Sequence, residues 1–140
     1  MIENIVDIHN HLLPGVDDGS ESFDESLHHL RNLYDDGVRQ LAVSPHLFGW
    51  LTREERGLDL RLDRLEQVFA ELERACRTRD DVPRLFFSQE ILCPKPEIAR
   101  AVFANPRPGV RHTSYALVEF GFDLATDCRE VVQAVLASGK

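Results

Sequence analysis

The sequence has no hydrophobic run that approaches the roughly 18–20 residues needed to cross a bilayer. Its first residues also lack the basic segment and the apolar stretch of a secretory signal. Basic residues are in the minority, because 16 Lys and Arg stand against 24 Asp and Glu and leave a net charge of −8. We therefore expect a cytoplasmic protein that binds neither nucleic acid nor an anionic membrane.

Cysteine is scarce, with three residues at wide spacing, Cys76, Cys93 and Cys128. An odd, dispersed set does not predict a disulfide framework or a zinc knuckle, and we expect free thiols in a reducing cytoplasm. Cysteine-dependent tyrosine phosphatases place five residues between the thiolate and a phosphate-binding arginine. The best candidate pair, Cys93 and Arg100, has six residues between its members. The sequence therefore excludes that mechanism.

Strand-like and helix-like hydrophobic patterns alternate along the chain. Short segments rich in β-branched and aromatic residues predict four strands, at Asn4–Ile8, Val38–Val43, Arg84–Ser88 and Tyr115–Val118. Apolar residues at three- and four-residue spacing predict four helices, at Phe23–Tyr34, Leu58–Cys76, Pro96–Phe103 and Asp127–Ser138. The sequence of Ser22 and Glu25 is typical of a capping box, and Gly37 is a natural end for the first helix.

Four successive βα units predict an α/β fold with a parallel sheet and helical crossovers. There is no repeat, low-complexity tract or flexible linker, so we treat residues 1–140 as one domain. The pattern is compatible with an open doubly wound sheet and with a barrel, and it does not choose between them.

Side chains that can bind metal follow every predicted strand. They are His9, His11, Asp18, His46, Glu90 and Glu119. Because ligands of parallel α/β folds bind at the carboxyl ends of the strands, we expect these side chains to meet at one edge. His9 and His11 are two apart on an extended segment, so both imidazoles can point toward one ion. Imidazole with carboxylate suits Zn, Mn or Fe, and such sites bind the oxygens of a phosphoryl group.

Each of these residues also has a structural interpretation when it is taken alone. A histidine at a strand end is commonly a hydrogen-bonded structural group, and Asp17–Gly19 could be turn chemistry. Glu90 could cap a loop, and Glu119 could pair with an arginine. The convergence of four strand ends favours the metal site. The remaining histidines, for which we expect solvated or structural roles, are His28, His29 and His112.

Four segments resemble a known superfamily. Asp7–Gly19, with the sequence DIHNHLLPGVDDG, is similar to the opening motif of the polymerase-and-histidinol-phosphatase (PHP) superfamily. It resembles most closely the bacterial manganese-dependent protein-tyrosine phosphatases of capsular and exopolysaccharide clusters. Ser44–His46, Gln89–Glu90 and Tyr115–Phe120 are similar to the next three motifs, in order. The resemblance extends along the whole chain.

The resemblance implies a distorted, TIM-like β/α barrel that holds up to three metal ions, commonly manganese. It implies hydrolysis of phosphotyrosine on the tail of a bacterial tyrosine kinase that regulates polysaccharide export. It assigns His9 and His11 to one ion, which Glu90 bridges to a second. Glu119 would bind the second ion, and Asp18 and His46 would bind a third.

Two departures from the family pattern affect this expectation. Relatives often carry a second histidine after the position of His46, and here it is Leu47. Relatives also continue into a histidine–proline–glutamate–arginine motif and a late aspartate-x-histidine, which add ligands and an arginine for phosphate. We therefore expect these residues to be the first four units of such a barrel. The last predicted strand would then have an open edge, so the isolated chain would either self-associate through it as a homo-oligomer or be one piece of a longer ordered polypeptide.

Two other functions remain open on the sequence. One is hydrolysis of a small phosphomonoester such as histidinol phosphate, with substrate selection in loops such as Leu47–Gly57. The other is a metal-binding or oligomerisation module without catalysis, since ligands of the later motifs are absent from these residues.

Overall fold

The computed structural model describes residues 4–121 and 127–140. Its elements, in chain order, are β1 (Ile5–Asp7), α1 (Phe23–Asp35), β2 (Val38–Val43), β3 (His46–Phe48), a 3-10 helix (Gly49–Arg53), α2 (Gly57–Cys76), β4 (Arg84–Phe87), β5 (Glu90–Leu92), α3 (Pro96–Phe103), β6 (Leu117–Glu119) and α4 (Cys128–Ala137). No helix in the described part of the chain is long and apolar enough to cross a membrane.

The chain forms two compact units. The first comprises Met1–Pro45 with Arg64–Ser88, and the second His46–Asp63 with Gln89–Lys140. Each unit contains one three-stranded sheet of parallel strands, in the order β1-β2-β4 and β3-β5-β6. The predicted α/β class with parallel strands is confirmed.

The strand count differs from the sequence prediction. We expected four strands in one sheet, and the described residues form six strands in two sheets. The additional strands, β3 and β5, have three residues each and follow β2 and β4 after a break of two residues. Pro45 has no N–H to donate to a ladder, which accounts for the first break. Strands this short carry too few residues for an alternating pattern to be recognised.

The Ser22 cap at the start of the first helix and the glycine after its last turn are both found where the sequence predicts them. The Ser22 hydroxyl accepts from the Glu25 N–H at 3.3 Å, and Gly37 follows the helix with a φ of +100°. The Glu25 carboxylate accepts from the N–H of Glu21 at 2.7 Å, one residue earlier than a standard capping box. Leu30 is fully buried, whereas Phe23 in the first turn is 37% exposed.

The apolar stripe of α2 lies in the core, as predicted. Its members are Leu58, Leu62, Leu65, Phe69, Leu72 and Cys76, and all are buried. Within the first unit, the ring of Phe69 packs on Phe87 of β4, with 5.1 Å between the ring centroids. This ring contact is part of the apolar packing between α2 and β4 within the first unit.

The sheet of the second unit has two chemically different faces. Leu47 and Ile91 point to one face and are fully buried. His46 and Glu90, which are register partners, point to the other face. Glu119 is the register partner of Leu92, two positions beyond Glu90, and therefore shares the face of Glu90. This sheet thus collects three of the predicted ligands on a single face.

The last strand is shorter than predicted, and it lies at an edge. β6 begins at Leu117, whereas Tyr115, the predicted first residue, is 74% exposed. Among the described residues, β6 pairs with β5 alone. An apolar groove lined by residues that include Val118, Val132 and Leu136 runs beside it. Self-association of the isolated chain through this edge stays a prediction, which light scattering would test.

Candidate metal centre

Three predicted ligands converge in the second unit, on the face of the β3-β5-β6 sheet described above. Nδ1 of His46 lies 3.2 Å from Oε2 of Glu90 and 4.0 Å from Oε2 of Glu119. One ligand atom from each of the three residues lies within 4.8 Å of the others. The side chains are only 22%, 10% and 25% exposed, respectively. Two carboxylates this close repel each other, and a divalent cation would offset their charge.

The backbone around this group is held by hydrogen bonds within the same unit. The guanidinium of Arg61 donates from Nη2 to the carbonyl of His46 at 3.0 Å. The N–H of Cys93 donates to the carbonyl of Glu119 at 2.8 Å. Gln89, fully buried beside Glu90, accepts from the N–H of Gly109 at 2.8 Å and so anchors the loop that precedes β6. The three ligand candidates are therefore carried by a constrained framework.

The first unit places the His-x-His pair directly after β1. Oδ1 of Asp7 accepts from the N–H of His9 at 3.0 Å. The rings of His9 and His11 are adjacent, with 5.6 Å between their centroids. The side chain of Asn10 points away from them and donates to the carbonyl of Ala42 at 3.1 Å. The alternation that the extended segment predicted is therefore present, and it presents both imidazoles together.

Asp17, which the sequence pattern predicts only as a turn residue, contacts a proposed metal ligand. Its side chain is 4% exposed, and its Oδ2 lies 2.9 Å from Nδ1 of His11. Its Oδ1 accepts from the N–H of Gly19 at 3.2 Å. Asp18, the predicted ligand, is 78% exposed, and its Oδ1 lies 3.8 Å from the same nitrogen. Histidine ligands commonly donate their second ring nitrogen to a carboxylate, and two consecutive aspartates after His-x-His were a usable signal for such a partner.

Gly19 fits against the backbone of His11. A Cβ on Gly19 would lie 1.9 Å from the carbonyl oxygen of His11. That oxygen also accepts from the N–H of Ser20 at 3.0 Å, so it cannot easily move aside. The glycine of the motif therefore permits the close approach that brings the Asp17–Gly19 turn to His11.

The other histidines are in none of the candidate metal-binding groups of the described residues. His28 and His29 are exposed on α1, where their ring nitrogens contact Asn32 at 3.2 Å and Glu25 at 3.7 Å. His112 is exposed in the loop before β6. Their exposure agrees with the predicted solvated or structural roles, which stay predictions.

Cys76 and Cys93 are buried thiols, and Cys128 is exposed. Burial raises the pKa of the Cys93 thiol to about 12. Burial, together with the nearby Asp81 carboxylate, raises the pKa of Cys76 to about 11. A thiol with such a pKa is protonated at neutral pH and is a poor nucleophile, which agrees with the exclusion of cysteine-based phosphatase chemistry.

We expect iodoacetamide at pH 7 to alkylate exposed Cys128 in the native protein and to leave Cys76 and Cys93 unmodified. Buried, protonated thiols react slowly because the thiolate is the reactive species. Mass spectrometry of tryptic peptides would measure the labelling, with protein unfolded in urea as the control in which all three sites react. Rapid labelling of Cys93 in the native protein would contradict this assignment.

Comparisons with known proteins agree with the motifs. A family model described as capsular polysaccharide synthesis, CpsB/CapC, matches residues 5–139. A putative tyrosine-protein phosphatase CapC from Staphylococcus aureus is 25% identical over 116 residues, which are 83% of this chain and 43% of that protein.

A solved structure shares the fold. It is one of the crystal structures of YwqE from Bacillus subtilis and CpsB from Streptococcus pneumoniae, which are described as unique metal-dependent tyrosine phosphatases. The TM-score is 0.73 at 21% identity, and the match covers 96% of this chain and 52% of that one. The chain therefore spans about half the length of the proteins it matches.

Proposed function

Because the chain belongs to the CpsB/CapC family of capsular polysaccharide synthesis proteins, we propose that it contributes to a metal-dependent phosphotyrosine phosphatase. Membership of this family confirms the resemblance that the motifs predicted. The observation that best supports the proposal is the convergence of His46, Glu90 and Glu119 on one sheet face. The printed descriptions of the relatives, as a putative tyrosine-protein phosphatase and as metal-dependent tyrosine phosphatases, support the same reaction.

We propose six side chains as metal ligands, and manganese as the ion. They are His9, His11, Asp18, His46, Glu90 and Glu119. A donor set of imidazoles and carboxylates suits Mn, and it also suits Fe and Zn. Elemental analysis of protein purified without chelator would identify the ion.

In the proposed reaction, the metal ion and the side chains of this protein have different roles. A bound divalent ion supplies positive charge that polarises a phosphoryl group and lowers the pKa of a water molecule. Glu90 and Glu119 supply the negative charge that retains such an ion, and the Arg61 contact fixes the backbone of His46. Asp17 Oδ2 lies 2.9 Å from Nδ1 of His11, so Asp17 would orient this ring and Nε2 would be available to hold an ion.

We further propose that these residues form the first part of a PHP-type β/α barrel, as the motif resemblance implies. The parallel βα units and the shared fold support this arrangement. The chain spans about half the length of the proteins it matches. By the motif resemblance, the remaining ligands and the phosphate-binding arginine would belong to the later motifs of the family.

The proposed substrate is phosphotyrosine on a bacterial tyrosine kinase that regulates capsular or exopolysaccharide synthesis in the cytoplasm. The test is phosphate release by the Mn²⁺-loaded protein from a phosphotyrosine peptide, compared with histidinol phosphate. We expect turnover of the peptide to dominate. Preferential turnover of histidinol phosphate would indicate the small-molecule enzyme, and no turnover of either with bound metal would indicate a non-catalytic module.

Replacing Asp17 with Ala should weaken Mn²⁺ binding by about 10–100-fold, the usual cost of losing the carboxylate behind a histidine ligand. Asp17→Asn should lose less, because its amide oxygen still accepts from Nδ1 of His11. Calorimetric titration with Mn²⁺ measures the affinity. Asp24→Ala, an exposed aspartate in the first turn of α1, is the matched control. Equal affinities for the Asp17→Ala and Asp24→Ala proteins would refute the positioning role.

A further inference from the structure

Three aromatic rings are stacked in a row in the second unit, starting at a proposed metal ligand. The rings of His46 and Phe48 are 5.5 Å apart with an interplanar angle of 17°. The rings of Phe48 and Trp50 are 4.5 Å apart at 8°. Phe48 is two residues after His46 on β3 and therefore shares its face, and Trp50 lies in the 3-10 helix that follows. We call Phe48 and Trp50 the aromatic shelf.

The outer end of the shelf is open to solvent. Trp50 is 42% exposed, although Trp is on average one of the most highly buried residue types. Single exposed apolar residues are ordinary on protein surfaces. Trp50 differs because its ring stacks on Phe48, and the ring of Phe48 stacks on His46. Nδ1 of His46 lies 3.2 Å from Oε2 of Glu90. The exposed indole is thus connected to the proposed phosphate-binding end of the site.

Contacts of the Gly49 backbone within the protein hold the aromatic shelf in place. A Cβ on Gly49 would lie 2.4 Å from Cγ2 of Ile98 and 2.5 Å from the carbonyl oxygen of Leu92, so the backbone between the two rings packs tightly on its neighbours. The Thr52 hydroxyl donates to the carbonyl of Gly49 at 2.8 Å. A preorganised aromatic surface binds a ring with little loss of conformational entropy.

The chemistry of the proposed substrate matches this surface. A phosphotyrosine carries its aromatic ring directly on the ester oxygen, whereas a phosphoserine or a small alkyl phosphate has no ring there. Aromatic rings gain energy from offset-stacked and edge-to-face contacts beyond the area they bury. An aromatic surface beside a phosphate site therefore discriminates aryl esters from alkyl esters.

We propose that the aromatic shelf is the subsite that binds the ring of an aryl phosphate ester whose phosphate occupies the site at His46, Glu90 and Glu119. This inference rests on the proposed phosphotyrosine phosphatase function. It assigns specificity for aryl over alkyl phosphate esters to two side chains, Phe48 and Trp50.

Steady-state kinetics of the Mn²⁺-loaded protein test the assignment. Two peptides of identical sequence are compared, one with phosphotyrosine and one with phosphoserine. We expect Trp50→Ala to raise KM for the phosphotyrosine peptide roughly tenfold, with kcat nearly unchanged and turnover of the phosphoserine peptide unaffected. Trp50→Phe, which keeps a ring, should recover most of the loss. Tyr115→Ala, which removes another exposed aromatic ring, is the matched control.

Intrinsic fluorescence gives a second readout that does not depend on turnover. Trp50 is the sole tryptophan of the sequence, so its emission reports on the shelf alone. A peptide with phosphonomethyl-phenylalanine, which has the ring but no hydrolysable ester, should change the emission with saturation. A peptide with an alkyl phosphonate at the same position should not.

The outcomes separate this inference from the function on which it rests. If the wild type hydrolyses phosphotyrosine and Trp50→Ala has the same KM, the shelf assignment is wrong and the phosphatase function stands. Calorimetric binding of the aryl phosphonate without any change in Trp50 emission would overturn the assignment in the same way. If the metal-loaded wild type hydrolyses neither peptide, both the function and the shelf assignment fall.

Discussion

If the proposed function holds, we expect Glu90→Gln to lower Mn²⁺-dependent hydrolysis of a phosphotyrosine peptide by more than about 100-fold, which exceeds the usual cost of losing a residue that only positions a metal ligand. Gln keeps the size of the side chain but loses the negative charge. The remaining neutral amide neither offsets the charge of an ion nor accepts through two equivalent oxygens. Glu90 is buried at the start of β5, where a larger or smaller side chain would disturb the packing. Gln has nearly the same size and shape, so we expect the fold to be retained.

The matched control is Glu97→Gln. Glu97 is an exposed glutamate in the first turn of α3, in the same unit as Glu90. We expect its hydrolysis rate to equal that of the wild type. Circular dichroism of both variants checks that the secondary structure is preserved. Full activity of the Glu90→Gln protein would remove Glu90 from the ligand set.

Gly19→Ala should have the second large effect. Its added Cβ would meet the carbonyl oxygen of His11 at 1.9 Å, and that oxygen is already bonded to the N–H of Ser20. Relief requires the turn to move away from His11, which separates the imidazole from Asp17. We expect a loss of at least about 3 kcal/mol in the free energy of unfolding, because the clash is with backbone rather than with a flexible side chain. Mn²⁺ affinity should fall with it.

Gly15→Ala is the control for this substitution. Gly15 lies in the same loop with a φ of +65°, and a Cβ there would be 3.6 Å from its nearest neighbour, the carbonyl oxygen of Glu21. The cost should be about 1–2 kcal/mol, from the left-handed conformation alone. Urea unfolding measures both variants. If Gly19→Ala is no less stable than Gly15→Ala, the close packing of the turn on His11 is not a requirement.

Long, strongly periodic elements were predictable from the sequence. The long helix α2 begins one residue before its predicted start at Leu58, and the shorter elements Pro96–Phe103 and Val38–Val43 also have their predicted limits. A buried helical stripe repeated over five turns leaves few alternatives. The short strands β3 and β5 were not predictable, because three residues supported mainly by tertiary pairing carry no periodic signal.

Part of the candidate site was also predictable. A parallel sheet collects residues from strands that are distant in sequence, and this is why His46, Glu90 and Glu119 meet. Their placement differs in one respect from the prediction that all ligands follow strand ends, since His46 and Glu90 begin their own short strands. The roles of Asp17 and Trp50 depend on side-chain direction and burial, which the sequence pattern does not specify.

The central proposal is that the phosphotyrosine hydrolysis to which this chain would contribute depends on a transition-metal ion and not on a thiol. The direct measurement is phosphate release from a phosphotyrosine peptide after EDTA treatment, after re-addition of Mn²⁺, and after iodoacetamide treatment. We predict that EDTA abolishes hydrolysis, that Mn²⁺ restores it, and that alkylation leaves it intact. Hydrolysis that survives EDTA and is lost on alkylation would contradict the claim.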